Sequence, residues 1–167
     1  MKPIVALASA LLALAASADC GGRSSPAGES PAETTPAATR PIPIEASYTG
    51  IQEPLRTLVR TRQEWEDLWS RLAANRIPRP SPPAVDFSNE VVVVVAMGNR
   101  PTGGYVVRID SVRYEKDTLW VDVTTVSPGT GCITTQAISA PAAAVAVERR
   151  PNVTARFVDR EEVERCE

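Results

Sequence analysis

The side chains best suited to catalysis are scarce in this sequence. None of its 167 residues is a histidine, which removes the usual general base, the histidine-activated nucleophiles and most transition-metal sites together. The lysines are Lys2, near the start, and Lys116, inside Glu115-Lys116-Asp117 between two apolar segments, so a serine–lysine dyad lacks members. Three cysteines occur, Cys20, Cys132 and Cys166; without an imidazole to activate them they make poor nucleophiles. Carboxylates are the remaining route to acid–base chemistry. Asp110 with Asp122 is the pair to consider, but both fall in alternating segments where they are expected to face solvent. Asp86 stands alone and reads as a turn residue that hydrogen-bonds its own backbone. The expectation is a non-enzyme, with no catalytic residues, no metal and no cofactor.

Charge narrows the field further. A net charge of −2 and a pI near 5.3 give no electrostatic case for nucleic acid. The basic residues are nearly all arginine and are interspersed with Asp and Glu, so no basic stripe forms.

The stretch that organises the rest is Val91-Val92-Val93-Val94-Val95-Ala96-Met97-Gly98-Asn99-Arg100-Pro101-Thr102-Gly103-Gly104-Tyr105. Its unbroken β-branched run has the composition of a strand covered on both faces. Gly98 breaks the run, and a Pro-Thr-Gly-Gly tip leads into a second strand at Tyr105. A buried strand that delivers a glycine-shaped loop is a scaffold presenting a tip. Asn99, Arg100, Pro101, Thr102, Gly103, Gly104 and Tyr105 are therefore the candidate contacts to a protein partner. The plain alternative is a β-turn that only joins two core strands.

Upstream, Met1-Lys2 precedes an apolar run, Ile4 to Ala16, with the pattern of a secretory signal and too short to span a membrane comfortably. Ala16-Ser17-Ala18 fits a cleavage site before Asp19. A competing reading takes Cys20, followed by Gly21-Gly22, which resembles the acylated cysteine of bacterial lipoproteins; Asp19 stands where a small residue is usual. The organisation expected is a signal over residues 1–19, a disordered Pro/Ser/Thr/Ala tether over 20–43 and a domain over 44–167. Such a tract cannot bury enough apolar area to fold and suits a tether that holds a domain off a membrane. The expected location is the cell envelope or periplasm, with Cys20 as a lipid anchor.

Within the domain, Ala46–Ile51 and Leu55–Arg60 read as short strands. Thr61 and Glu64 have capping-box spacing, and Trp65, Leu68, Trp69 and Leu72 form one apolar stripe of a helix ending near Asn75. Residues 105–114 alternate with a phase change near Asp110-Ser111, which predicts a β-bulge. Leu119, Val121 and Val123 mark its hairpin partner. Ile133–Ile138, Ala142–Glu148 and Thr154–Asp159 read as further strands, with a charged tail from Arg160. The fold class expected is mainly β (α+β): an antiparallel sheet or sandwich with one amphipathic helix packed on it. In an exported chain Cys132 and Cys166, the only cysteines of the folded part, are expected to pair; the alternative is two thiols too far apart to bridge.

The ordered set Gly98-x-Arg100-Pro101-Thr102-Gly103-Gly104-Tyr105, then Pro128-Gly129-x-Gly131-Cys132, Thr135-Gln136-Ala137 and Pro141 resembles the carboxy-terminal domain of the PrcB family. Asp86-Phe87 and the Trp65/Trp69 helix fit the same pattern, over about Ser47 to Arg149. An alanine run follows Pro141 where an aromatic such as tyrosine often stands in that family. The resemblance implies a non-catalytic accessory that associates with a protease, as the family is named for a lipoprotein subunit of a bacterial surface protease complex. A shorter resemblance links Arg100–Tyr105 to the Asn-Pro-Thr-Thr-Gly-Tyr loop of chagasin-type inhibitors, β-sandwich proteins that plug cysteine proteases. Here Arg replaces Asn and Gly replaces the second Thr.

Overall fold

The computed structural model describes residues 34–44 and 47–166. Strand β4, Glu90–Ala96, lies at the centre of three layers. Successive side chains of a strand point to opposite faces. Val91, Val93 and Val95, with Met97, enter one apolar cluster, while Val92, Val94 and Ala96 enter a second. Neither face meets water, which is why the segment needs an uninterrupted apolar run rather than alternation.

Two four-stranded sheets flank the first cluster. One has the order β1-β5-β6-β8, from Thr34–Pro36, Val106–Glu115, Thr118–Pro128 and Thr154–Glu164; the other has β2-β7-β4-β3, from Thr39–Pro41, Ala142–Glu148, β4 and Leu55–Val59. Tyr114, Leu119, Val121 and Val123 fill the space between them. Helix α1, Arg62–Leu72, covers the outer face of the second sheet and buries the expected stripe. Its start is fixed by a full capping box, with the Thr61 hydroxyl accepting from the Glu64 N–H at 3.2 Å and the Glu64 carboxylate accepting from the Thr61 N–H. Ala142, Ala144 and Ala146 on β7 contribute only methyl groups beneath the helix, which leaves room for the two indoles. The proline connector holds those indoles from outside: Trp65 Nε1 donates to the Pro83 carbonyl at 3.0 Å and Trp69 Nε1 to that of Pro80 at 2.7 Å. The tryptophans are core.

Mainly β architecture with one helix is as the patterning predicts, and so is the bulge, where the β5–β6 register shifts between Ile109 and Ser111. Asp86 is the expected turn residue; its carboxylate accepts from the Ser88 hydroxyl, from Asn89 and from the Ser88 N–H, and these bonds hold its pKa below the ordinary value. Four details differ. The tract read as tether through residue 43 already pairs at Thr34–Pro36 with β5 and at Thr39–Pro41 with β7. Both strands lie at sheet edges, where proline's missing N–H costs no ladder bond. Residues 47–51 form only a bridge, Tyr48 to Ala140, because Gly50 passes so close to α1 that a Cβ there would lie 2.4 Å from the Arg71 carbonyl oxygen. Ile133–Ile138 is an irregular loop. Lastly, β8 runs on through the charged tail to Glu164 and is parallel to β6, since the chain crosses to the other sheet as β7 between them. The signal segment and Cys20 lie outside the described residues.

One ion pair spans the second sheet. Arg40 on β2 reaches past β7 and donates to both carboxylate oxygens of Glu90, the closer at 2.8 Å. That fork lowers the Glu90 pKa from 4.5 against the opposing cost of partial burial. A depressed carboxylate stabilises the fold fully above its unfolded pKa and loses that contribution as pH falls through the folded value. Glu90→Gln should therefore lower the melting temperature at pH 7 by an amount corresponding to about 0.5–1 kcal/mol. The gap from wild type should close as the pH is taken below 4.5. Thermal melts across that range check this; a gap that stays constant would show that the charge is irrelevant.

Candidate functional site

The tip begins where β4 can go no further. Met97 N–H donates to the Pro141 carbonyl at 2.9 Å, and Gly98 then turns with φ of 72°. A side chain at Gly98 would be strained by that φ and would place its Cβ 2.6 Å from the Gln52 carbonyl oxygen. That same oxygen accepts from the Asn99 N–H at 2.8 Å, so the backbone of 52–54 serves as a stop for the tip.

The other side of the tip is held by the irregular loop after β6. Arg100 and Ser139 exchange N–H···O bonds of 2.7 and 3.0 Å, and the Gly103 N–H donates to the Thr135 carbonyl at 2.9 Å. Ser139 Oγ adds a bond to the Thr102 carbonyl at 2.7 Å. Gly104, with φ of 85°, lies against Pro128 and Thr134. The supporting loop is in turn pinned to the chain end: Cys132 and Cys166 form a disulfide, with Cα atoms 5.0 Å apart. Gly129 passes so near β8 that a Cβ would lie 2.2 Å from the Glu164 carbonyl oxygen. Support therefore runs from the tail, through residues 129–139, to the tip.

The seven candidate contacts do not share one role. Asn99, Pro101 and Gly104 are exposed. Arg100 is a brace: its guanidinium donates to the Met97 carbonyl at 2.9 Å and stands 5.8 Å from the centre of the Tyr105 ring, while its Nε is buried without an acceptor. Tyr105 packs partly against the inter-sheet cluster. Thr102 is half-buried, its hydroxyl donating to the Gly103 carbonyl at 3.1 Å, and Gly103 is a fitted spacer against Thr135. Beside the tip, the structure adds residues that the sequence reading did not single out. Ile133 is fully exposed, Ile138 is 59 % exposed, and Tyr48, bridged to Ala140, is 53 % exposed. The two isoleucines read as strand interior. The glycines at 129 and 131 just before them were the available signal for a loop.

The groups at the tip are suited to recognition rather than reaction: backbone amides, an amide side chain, a proline ring and neighbouring aliphatic carbons. The acids considered for chemistry are already committed, as is Asp159. Asp110 accepts from Thr124 and lies 3.7 Å from Arg108, Asp122 accepts from Ser111 and Arg113, and Asp159 pairs with Arg56 at 2.7 Å. Cys132, Glu164 and Cys166 lie close together, but the disulfide consumes both thiols and leaves no thiolate for a metal.

The family model described as PrcB C-terminal matches residues 91–148. The match runs from β4 through β7 and so takes in the tip and the loop that supports it, bearing out the resemblance for the motifs from Gly98 to Pro141; Asp86-Phe87 and the Trp65/Trp69 helix lie outside it. No curated protein and no solved structure matches the chain.

The division of roles within the tip is testable. Arg100→Ala removes a carbonyl partner and should cost about 1–3 kcal/mol of stability. Pro101→Ala, at an exposed position, should change it by no more than about 0.5 kcal/mol. Denaturant melts of the two variants check this; equal losses would show that Arg100 does not brace the loop. Cys166→Ser should cost about 3–4 kcal/mol in the chain-entropy picture, read from the same melts.

Proposed function

We propose that this PrcB-type chain is a non-catalytic binding module of the cell envelope that offers the tip, residues 99–105, to a protein partner. The family match points to a role related to a protease complex, and the partner is then a protease or another subunit of such an assembly. The observation that carries the reading is the way the tip is held: five backbone-directed bonds, through Asn99, Arg100 (two), Thr102 and Gly103, fix its shape before any partner arrives. A pre-shaped loop loses little conformational freedom on binding, so its contacts translate more fully into affinity. Export and acylation at Cys20 complete the proposal, with the low-complexity tract before Thr34 as the tether.

One feature favours a second reading. The tip joins strands of two facing sheets in a sandwich, and the chagasin-type inhibitors whose loop it resembles are β-sandwich proteins. Inhibition of papain by micromolar protein separates the two; unimpaired activity removes the inhibitor reading.

For the leading proposal, crosslinking in the native envelope fraction followed by mass spectrometry should identify a partner. An Asn99→Ala/Pro101→Ala variant should lose that partner with its melting temperature nearly unchanged. Retention of the partner by this variant would sink the idea that the tip makes the contact. Cys20→Ala should move the protein from the membrane to the soluble fraction, and continued membrane retention would dispose of the anchor.

A further inference from the structure

A second concave site lies at the end of the sandwich opposite the tip. Arg60 follows β3, Arg149 and Arg150 follow β7, and the three line one pocket with Tyr114, Val91 and Asn152. The guanidiniums are fixed, but by neutral groups. Arg60 Nη2 donates to the Val153 carbonyl at 2.7 Å, and Arg149 Nη1 donates to the carbonyls of Phe87 and Arg60 at 2.7 and 3.1 Å. Arg150 lies over the Tyr114 ring, 4.0 Å from its centre, with none of its N–H groups taken by an acceptor among the described residues. Burial, ahead of the opposing pull of Arg150, raises the Tyr114 pKa, so the ring beneath this cation is a neutral phenol.

Like Arg100, the arginines of this pocket have no carboxylate partner among the described residues. Arg40, Arg56, Arg108 and Arg113 each have a carboxylate partner, whereas none of the five ion pairs among the described residues includes Arg60, Arg149 or Arg150. The neighbouring acids are mostly occupied: Glu90 holds Arg40, and the Glu64 carboxylate accepts from the backbone N–H groups of Arg60 and Thr61. Glu148 is an exposed acid close enough to act on Tyr114, and Asp117, whose carbonyl accepts from the Thr154 N–H, is another at this end. Three arginines, one after β3 and two after β7, thus line one concavity, and none of them is paired with a carboxylate among the described residues.

We propose that this pocket binds a phosphate group. A carboxylate needs one guanidinium fork, but the charge and the several acceptor oxygens of a phosphate match donors that approach from more than one side. The group is carried as the free ion or as a phosphate ester, such as a lipid headgroup; the pocket lies at the end where Thr35 on the entering strand pairs with Tyr114. This site is independent of the tip and does not rest on the partner proposal.

Calorimetric titration of the full chain with inorganic phosphate at low ionic strength should give saturable one-site binding. Arg150→Ala, which removes only a ring contact from the fold, should weaken it about ten-fold or more. Arg79→Ala, which deletes a positive charge in the proline connector, should leave it unchanged. Glycerol 3-phosphate separates the sources: tighter binding than inorganic phosphate identifies an ester headgroup, and weaker binding the free ion. The absence of saturable binding by either probe overturns the proposal. So does succinate binding as tightly as phosphate, or an equal loss in Arg79→Ala and Arg150→Ala.

Discussion

Burial of β4 on both faces is the constraint from which the rest of the architecture follows. A strand whose side chains are all apolar from Val91 onward must be covered by a helix on one side and a sheet on the other. The helix then requires a floor of small residues, met by the alanines of β7, and the indoles it brings require acceptors, met by carbonyls of the proline connector. Large-to-small changes in β4 itself would open cavities between tightly packed layers. Those changes would also loosen the root of the tip, because Met97 and Gly98 continue the strand directly.

The tip inherits rigidity from β4 on one side and from a disulfide-closed tail on the other. Its two supports come from distant parts of the sequence, the 52–54 backbone and the 129–139 loop. This arrangement separates the residues that hold the loop in shape from those free to touch something else. Arg100 belongs to the first group, although a lone arginine in a glycine-rich loop invites assignment to the second. Its Nε lacks an acceptor within the fold, which marks the brace as incomplete rather than fully satisfied.

Much of this was legible in the residues themselves. The capping box at Thr61, the tryptophan stripe, the phase change at Ser111 and the five valines each report a local rule that the tertiary structure obeys. The pairing of Cys132 with Cys166 was expected from their being the only cysteines of the folded part. What escaped depends on distant partners. Thr34–Pro36 and Thr39–Pro41 have tether-like composition and become strands only because β5 and β7 offer free edges. Ile133 and Ile138 have strand composition and stay outside the sheets because 129–139 is drawn aside by the tip and the tail. The direction of β8 could not be read at all, since parallel pairing to β6 is set by the crossover and not by any residue in β8. For the same reason the arginines at 60, 149 and 150 gave no motif: they meet only when the ends of β3 and β7 do.

The pairing of β1 with the far end of β5 has a consequence of scale. Thr34 lies opposite Glu115, whereas the tip feeds into Val106, at the other end of the same strand. The ten residues between them, at the rise of an extended strand, amount to about 30 Å. β5 thus holds the chain at Thr34 and the tip at a fixed separation, so that movement of one carries the other with it.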